Sequence, residues 1–303
     1  MFDYRLKVFD TVARRLSFTK AAEELCITQP AVSKHVHELE RQFGIQLFER
    51  KGNRIVLTQS GLMILKYTES LREISRQLEY EINLLKETHR GYLKLGASTT
   101  IAQYVLPPLL ARFHHRYKDV QLHMLNANTE QIELALLQRE IELGVIEGDS
   151  KRKEIHYTPF TMDEIVLVSS AKNPLAKKGE ISIEKLAAIP MLLRESGSGT
   201  LEVIVHALKN HGMKVSDLNI EMYLGSSEAI KSYLIHSNCM AFISQHAVIK
   251  EVEAGSLKII SLKKLSIQRH FYFITLHGTE GGLPEVFMRF ADQNYSDVIF
   301  KPH

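Results

Sequence analysis

Apolar positions in the first sixty residues recur with a helical period. Leu6, Phe9, Val12 and Ala13 share one face over residues 4–15, the spacing of a half-buried helix. Ser17 offers a hydroxyl cap, and Phe18 to Leu25 repeats the pattern with Ala21, Ala22 and Leu25 on one side. Cys26-Ile27 breaks it. Thr28 then caps a third helix opening Gln29-Pro30, where proline is tolerated because first-turn N–H groups lack helical partners. Ala31, Val32, Val36, Leu39 and Phe43 take its inner face, and Gly44 ends it. A short helix, a three-residue turn and a longer helix make a helix-turn-helix. A basic hairpin follows, from Leu47-Phe48-Glu49-Arg50 through Gly52-Asn53 to the strand Arg54–Leu57. Beside a helix-turn-helix, such a hairpin is a wing.

Residues 60–88 contain no proline and no glycine after Gly61, which predicts a helix of roughly 40 Å at ~1.5 Å per residue. Ile64, Leu71, Leu78 and Leu85 recur every seven residues, with Tyr67 and Ile74 on the adjacent row. That seam predicts a coiled-coil contact between two copies. Glu81 interrupts the second row, and a helix packed on its own body is the alternative. From Gly91 the pattern changes to strands alternating with helices. Strands are expected at 92–97, 120–125, 142–146, 165–168, 190–193, 219–224, 240–243 and 270–276. Helices are expected at 101–116, 129–139, 200–211, 227–235, 245–253 and 284–295, with Pro107 and Pro108 bending or delaying the first. The βαβ alternation predicts an open parallel sheet, and its recurrence predicts two lobes with a cleft between them.

Charge sharpens this division. The 303 residues carry a net +3. Residues 1–60 hold ten Lys/Arg against seven acids, residues 61–90 hold five of each, and the rest hold 23 of each. The surplus therefore lies wholly in the first fifth, as a phosphate partner or a mildly basic surface would have it. Cys26 and Cys239 are too few for a disulfide framework, and two core thiols in a reducing cytoplasm are expected. The charged N-terminus lacks a secretory apolar run, and no stretch approaches the ~18 apolar residues of a membrane helix. A cytoplasmic protein with no membrane partner is the expectation.

The segment FTKAAEELCITQPAVSKHVHELERQFGIQLFERKGNRIVLTQSG closely resembles the N-terminal domain of LysR-type transcriptional regulators. The shared features are Phe18, Ala21-Ala22, Leu25, Thr28-Gln29, Ala31-Val32-Ser33, Leu39-Glu40, Gly44, Leu47-Phe48-Glu49-Arg50, Leu57-Thr58 and Gly61. The long helix and two-lobed body extend the resemblance over the full length. It implies an α/β chain in three parts: a winged helix-turn-helix DNA-binding domain at 1–60, a linker and dimerisation helix at 61–89, and an effector-binding domain at 90–303. The last resembles solute-binding proteins, with lobe 1 at about 90–161 and 268–303 and lobe 2 at about 162–267. It also implies double-stranded promoter DNA, a small effector, further copies of the chain (homodimer or dimer of dimers) and RNA polymerase as partners. No cofactor is implied.

Gln29, Ser33, Lys34 and His37 face away from the inner stripe of the third helix and are the candidates for base edges or phosphates. Lys34 stands where the family commonly has arginine, which keeps a phosphate contact but not a bidentate guanine contact. Arg50 and Arg54 flank the wing, suited to phosphates or the minor groove. In the body, the resemblance places an effector in the interlobe cleft. Ser98-Thr99-Thr100, Gln103, Thr129 and Ser196-Gly197-Ser198-Gly199-Thr200 are the candidates. Hydroxyls and glycine N–H groups at helix N-termini suit an anion, although simple capping explains each loop singly. Glu147, just after a strand, would repel an ionised anion unless it is protonated, faces away, or meets a ligand proton or amine. The effector class thus stays open between inorganic oxyanions, small carboxylates and ligands carrying donors.

Other readings compete. A solute receptor with a vestigial head and an anion-processing enzyme would share this body. No phosphate-binding GxxxxGK[ST] loop, G-x-S-x-G elbow or HExxH motif occurs. The pairs His35/His37 and His114/His115 lack a third metal ligand at a suitable spacing, so neither catalysis nor a metal is expected.

Overall fold

The computed structural model describes residues 3–52, 54–85, 91–148, 151–263, 265–279 and 281–299. Two compact units form, Met1–Thr88 and His89–His303.

The first unit contains α1 (Tyr4–Arg15), α2 (Phe18–Leu25), α3 (Gln29–Phe43), the hairpin β1 (Phe48–Lys51) and β2 (Arg54–Leu57), and α4 (Gln59–Leu85). In its hydrophobic core Val8, Phe9 and Val12 from α1 meet Ala21 and Ala22 from α2, Val32, Val36 and Leu39 from α3, and Leu47. Ser17 accepts from the Lys20 N–H as a cap, whereas Thr28, at the N-cap of α3, makes no side-chain capping bond. Two expectations are corrected here. Phe43 is 41% exposed, because Gly44 turns the chain at φ +67° and Ile45 takes the inward position instead. Cys26 is exposed, since it occupies the left-handed turn that closes α2; Cys239 is buried. Gly61 is required by space: a Cβ there would lie 2.1 Å from the Leu47 carbonyl oxygen. Thr58 spans the same junction, donating to the Gln46 carbonyl at 2.7 Å and accepting from the Gly61 N–H at 2.9 Å.

Ile64 packs on the head's core with Leu65, so it is not part of an outward seam. Ion pairs Arg14–Glu69 (3.0 Å) and Arg72–Asp10 (2.8 Å) fix α4 against α1. Further along, Tyr67 and Ile74 are each 61% exposed, with Leu71 and Leu78 beside them. The expected helical residues 86–88, and the side chains of Glu81 and Leu85, lie outside the described residues.

The second unit begins with β3 (Gly91–Ser98), a π-helical turn at Ile101–Val105, and α5 (Leu106–Arg116). The turn takes up the irregularity expected at Pro107-Pro108, which fall in the first turn of α5. Then come β4 (Val120–Ala127), α6 (Thr129–Leu137), β5 (Leu143–Glu147), β6 (Ile155–Ser170), β7 (Glu180–Ile181), β8 (Pro190–Arg194) and α7 (Gly199–Asn210). The chain closes with β9 (Asn219–Leu224), α8 (Ser227–Ile235), β10 (Met240–Ser244), α9 (Gln245–Glu253), β11 (Leu257–Leu262), β12 (Ile267–Leu276) and α10 (Gly282–Ile299). The main sheet runs β4-β3-β5-β12-β6-β10-β8-β9, with β11 pairing β6 and β7. It is mixed rather than parallel, because β12 runs antiparallel to both β5 and β6.

β3, β4 and β5 are parallel and form lobe 1. β8, β9 and β10 are parallel and form lobe 2 with β6, antiparallel to β10, and β11, antiparallel to β6. Lobe 2 is cored on both faces of its sheet. Met191, Leu193, Met240 and Phe242 face one cluster, while Leu192, Ala241 and Ile243 face the other. That is why its strands read as continuous apolar runs. The lobes are joined by β6, sixteen residues long, and by β12 beside it.

Candidate functional site

On the first unit, α3 presents its outer face. Gln29, Lys34 and His37 are exposed and Ser33 is half-buried. Gln29 Nε2 donates to Ser33 Oγ at 2.9 Å, and His37 Nδ1 lies 3.0 Å from Glu40. Glu40 also accepts from the Leu47 N–H at 2.9 Å, which fixes the recognition helix to the start of the wing. Glu40 was read only as part of the motif; its spacing from Leu47 carries no pattern that reveals the bond. Arg50 and Arg54 are exposed on the wing. Lys51 sits directly opposite Arg54, and like charges facing across a hairpin are destabilising. Lys51 is paired with Glu49 at 3.3 Å, which offsets part of that cost.

In the second unit the candidate residues from the two lobes meet. Glu147 ends β5, one residue earlier in the loop than expected, and turns inward with 2% exposure. Ser98 Oγ, at the end of β3, donates to its carboxylate, and Thr200 Oγ1, in the first turn of α7, donates at 3.3 Å. Thr129 Oγ1 donates to the Glu147 carbonyl at 2.9 Å and accepts from the Gly199 N–H at 3.3 Å. Gly199 lies so close to that carbonyl that a Cβ would be 2.0 Å from the oxygen. The Glu130 N–H donates to the Gly197 carbonyl at 3.2 Å, and Asn128 Nδ2 to the Ser196 carbonyl at 3.4 Å. Thr99 Oγ1 donates to the Ala127 carbonyl at 3.3 Å, and Thr100 is buried beside it.

Five residues outside the candidate set complete the site. Arg269, on β12, donates from Nη1 to Thr200 Oγ1 at 2.8 Å and lies 3.5 Å from the Glu147 carboxylate. Its other side is paired with Asp163 on β6 at 2.7 Å, and Ser244 donates to Asp163 at 2.9 Å. His246 stands 3.9 Å from Asp163. Burial lowers its pKa below the ordinary 6.5, with Arg269 adding to the effect and Asp163 opposing it. Arg194, 2% exposed at the end of β8, binds Glu195 through Nε at 2.8 Å and reaches Thr99 of the facing lobe at 3.4 Å. A charged residue closing an otherwise apolar strand was the available signal for Arg194, whereas Asp163 and Arg269 stand among polar neighbours and carried none. Across the same cleft Tyr104 donates to Glu228, and burial first, then this bond, raises the phenol's pKa.

Three buried polar atoms on these walls lack a partner: Gln103 Oε1, Arg194 Nη1 and Ser198 Oγ. An open groove of about 820 Å³ continues from the same loops, and its lining is of mixed charge, with Lys151, Arg152 and Lys209 against Glu130, Glu133 and Glu202. Among the described residues there is no cluster of three His, Cys, Asp or Glu suited to a metal, and no helix long and apolar enough to cross a membrane.

Comparison with known proteins matches residues 4–62 to "Bacterial regulatory helix-turn-helix protein, lysR family" and residues 86–295 to "LysR substrate binding domain". A "Probable RuBisCO transcriptional regulator" of Thalassiosira pseudonana is 34% identical over 276 residues, covering 89% of this chain and 90% of the relative. Among solved structures, a full-length OxyR point variant from Pseudomonas aeruginosa matches 98% of this chain and 94% of its own, with a TM-score of 0.71 at 19% identity. The regulatory domain of Synechocystis CcmR, solved in complex with 2-PG, matches 71% of this chain and 100% of its own, with a TM-score of 0.61 at 26% identity.

Proposed function

The chain belongs to the LysR family of bacterial transcriptional regulators, and on that premise we propose that it reads promoter DNA through α3 and the wing and senses a small anionic effector between its two lobes. It is a DNA-binding regulator with an effector-binding domain, and its family is one of regulators rather than enzymes. The proposed division of labour is 1–60 for DNA, 61–89 for dimerisation and 90–303 for the effector. The exposed stripe of Tyr67, Leu71, Ile74 and Leu78 supports pairing of two copies. Action on promoter DNA beside RNA polymerase is cytoplasmic work, and that is the compartment proposed.

The observation that carries the effector reading is Arg194. A buried guanidinium is costly unless paired, and Glu195 satisfies Nε and Nη2 while Nη1 has no partner. Together with Thr100 on the facing lobe and Ser198, whose hydroxyl is also unpartnered, it offers an incoming oxyanion donors drawn from both lobes, while Gln103 presents an unpartnered amide oxygen suited to a ligand hydroxyl. The similar CcmR domain was solved with 2-PG, which supports a ligand in this unit.

A thermal-shift series of small carboxylates and inorganic oxyanions tests the reading. A ligand that binds only the folded protein stabilises it by about 2.7 kcal/mol at a hundredfold excess over Kd. Ser98→Ala, Thr100→Ala and Ser198→Ala should lose the shift while retaining DNA binding. A series in which nothing stabilises the protein, or in which these variants respond as the parent does, removes the cleft as the sensor. For the head, the protein should prefer its own promoter over random duplex at physiological salt, and equal affinity for both would overturn that assignment.

A further inference from the structure

The Glu147 side chain is held as a bound anion would be held. Its carboxylate receives Ser98 from β3 and Thr200 from α7, and the Arg269 guanidinium of β12 stands 3.5 Å away. None of these donors lies on β5, which carries Glu147. They come from both lobes and from the strand pair joining them. Hydroxyls and a guanidinium converging on one buried group are the donor chemistry of an oxyanion site.

The charges point the same way. Arg269 already has a counter-ion in Asp163 at 2.7 Å, and Arg194 has one in Glu195 at 2.8 Å. Glu147 is thus the carboxylate beyond those needed for the two guanidiniums. Its backbone is fixed, with the carbonyl bonded by Thr129 and packed by Gly199. Gly148 follows at φ +136°, where the chain turns away in a conformation that residues with a Cβ rarely adopt.

We propose that the Glu147 carboxylate is a tethered stand-in for the effector: Ser98, Thr200 and Arg269 form a receptor for a compact oxyanion, and effector binding exchanges Glu147 for it. This rests on the cleft reading above and adds how the site is regulated. An incoming oxyanion and the Glu147 carboxylate use the same donors, so they exclude one another. Effector binding then changes which group joins the lobes, not whether they are joined. The shared chemistry is a carboxylate-sized oxyanion, supplied either by an organic acid or by an inorganic ion.

Full-length wild type, Glu147→Ala and Glu147→Gln are titrated calorimetrically with sodium sulfate and with sodium acetate, against sodium chloride at matched ionic strength. Glu147→Ala should bind at least one of the two at least tenfold more tightly than wild type, and adding Ser98→Ala should abolish the gain. A gain for sulfate alone indicates an inorganic oxyanion, and a gain for acetate alone indicates an organic carboxylate. Glu147→Gln keeps the volume without the charge and should also gain, which preserves the test if the alanine variant does not fold. If both variants bind both anions no more tightly than wild type, the exchange is wrong. In that event the cleft reading still stands where a thermal-shift ligand loses its effect in Ser198→Ala, and it falls where that variant responds like wild type.

Discussion

The head and the effector-binding unit keep their chemistry in opposite places. In the head Gln29, Lys34, His37, Arg50 and Arg54 stand exposed around an apolar cluster, and the buried Asp10 is paired with Arg14 and Arg72. In the second unit Ser98, Thr100, Glu147, Asp163, Arg194, Thr200, Ser244 and Arg269 are all buried. The difference follows from the size of what each meets. A long polyanion is met from outside, so its readers stay hydrated until contact and carry no desolvation cost in the free protein. A small molecule must be surrounded, so its donors leave water in advance and have to satisfy one another meanwhile. Substitutions should therefore separate cleanly into those that unfold, those that deafen and those that detach.

The largest effect expected is on the head's core. Phe9 is fully buried, and Phe9→Ala should cost about 3–5 kcal/mol of the head's stability. Denaturant melts should show that loss confined to the head's transition; an equal shift in the other unit would break the comparison. Next, Arg194→Ala should weaken the strongest ligand of the thermal-shift series by about 1.5–3 kcal/mol, the worth of hydrogen bonds to a charged group, with DNA affinity unchanged. At the DNA face two substitutions should diverge. Gln29→Ala should cost about 1–3 kcal/mol of discrimination at one base pair, whereas Arg54→Ala should weaken all sequences alike and lower the salt slope by about one. Binding isotherms at several salt concentrations on two operator variants distinguish them.

The smallest effect is a pH dependence of the second unit. His246 has a folded pKa held below 6.5 by burial, so the unfolded chain binds more protons in the window just below 6.5. Stability should therefore fall as pH drops from about 6.5 toward the folded pKa. His246→Gln should flatten that part of a stability-versus-pH curve, and the head should show none of it.

Legibility in the sequence followed the same divide. The helices and wing of the head were readable because their signals are local: an apolar stripe, a Ser17 cap, a Gly44 stop. Phe43 escaped because it is the last residue of α3, where the stripe has already run off the core. In the second unit the lobes were readable from buried strands such as Met191–Leu193. Of the strand pair joining them, β12 was readable at 270–276, but the long β6 was not. Only 165–168 of β6 was apparent, since its earlier residues follow no alternation and include Pro159, which pairs Tyr272 beside a register shift in β12. β11 was missed for a different reason, being a short run between turns. Ser98, Thr129, Glu147 and Thr200 were visible as loop residues. Asp163 and Arg269, 106 positions apart, become neighbours only through the pairing of β6 with β12.

That pairing has a mechanical consequence. β6 is bonded to β12 from Ile155 to Ile165 and to β10 and β11 from Ile165 to Ser170. Around Asp163 the two lobes are therefore continuous with a single two-stranded ribbon, and no loose linker separates them. Any rotation of one lobe against the other would have to twist this ribbon. It is a torsion bar with Arg269 and Asp163 clamped at its midpoint. Deuterium uptake should stay low through residues 161–165 whether or not ligand is present, while the loops at 98–100 and 196–200 record the swing.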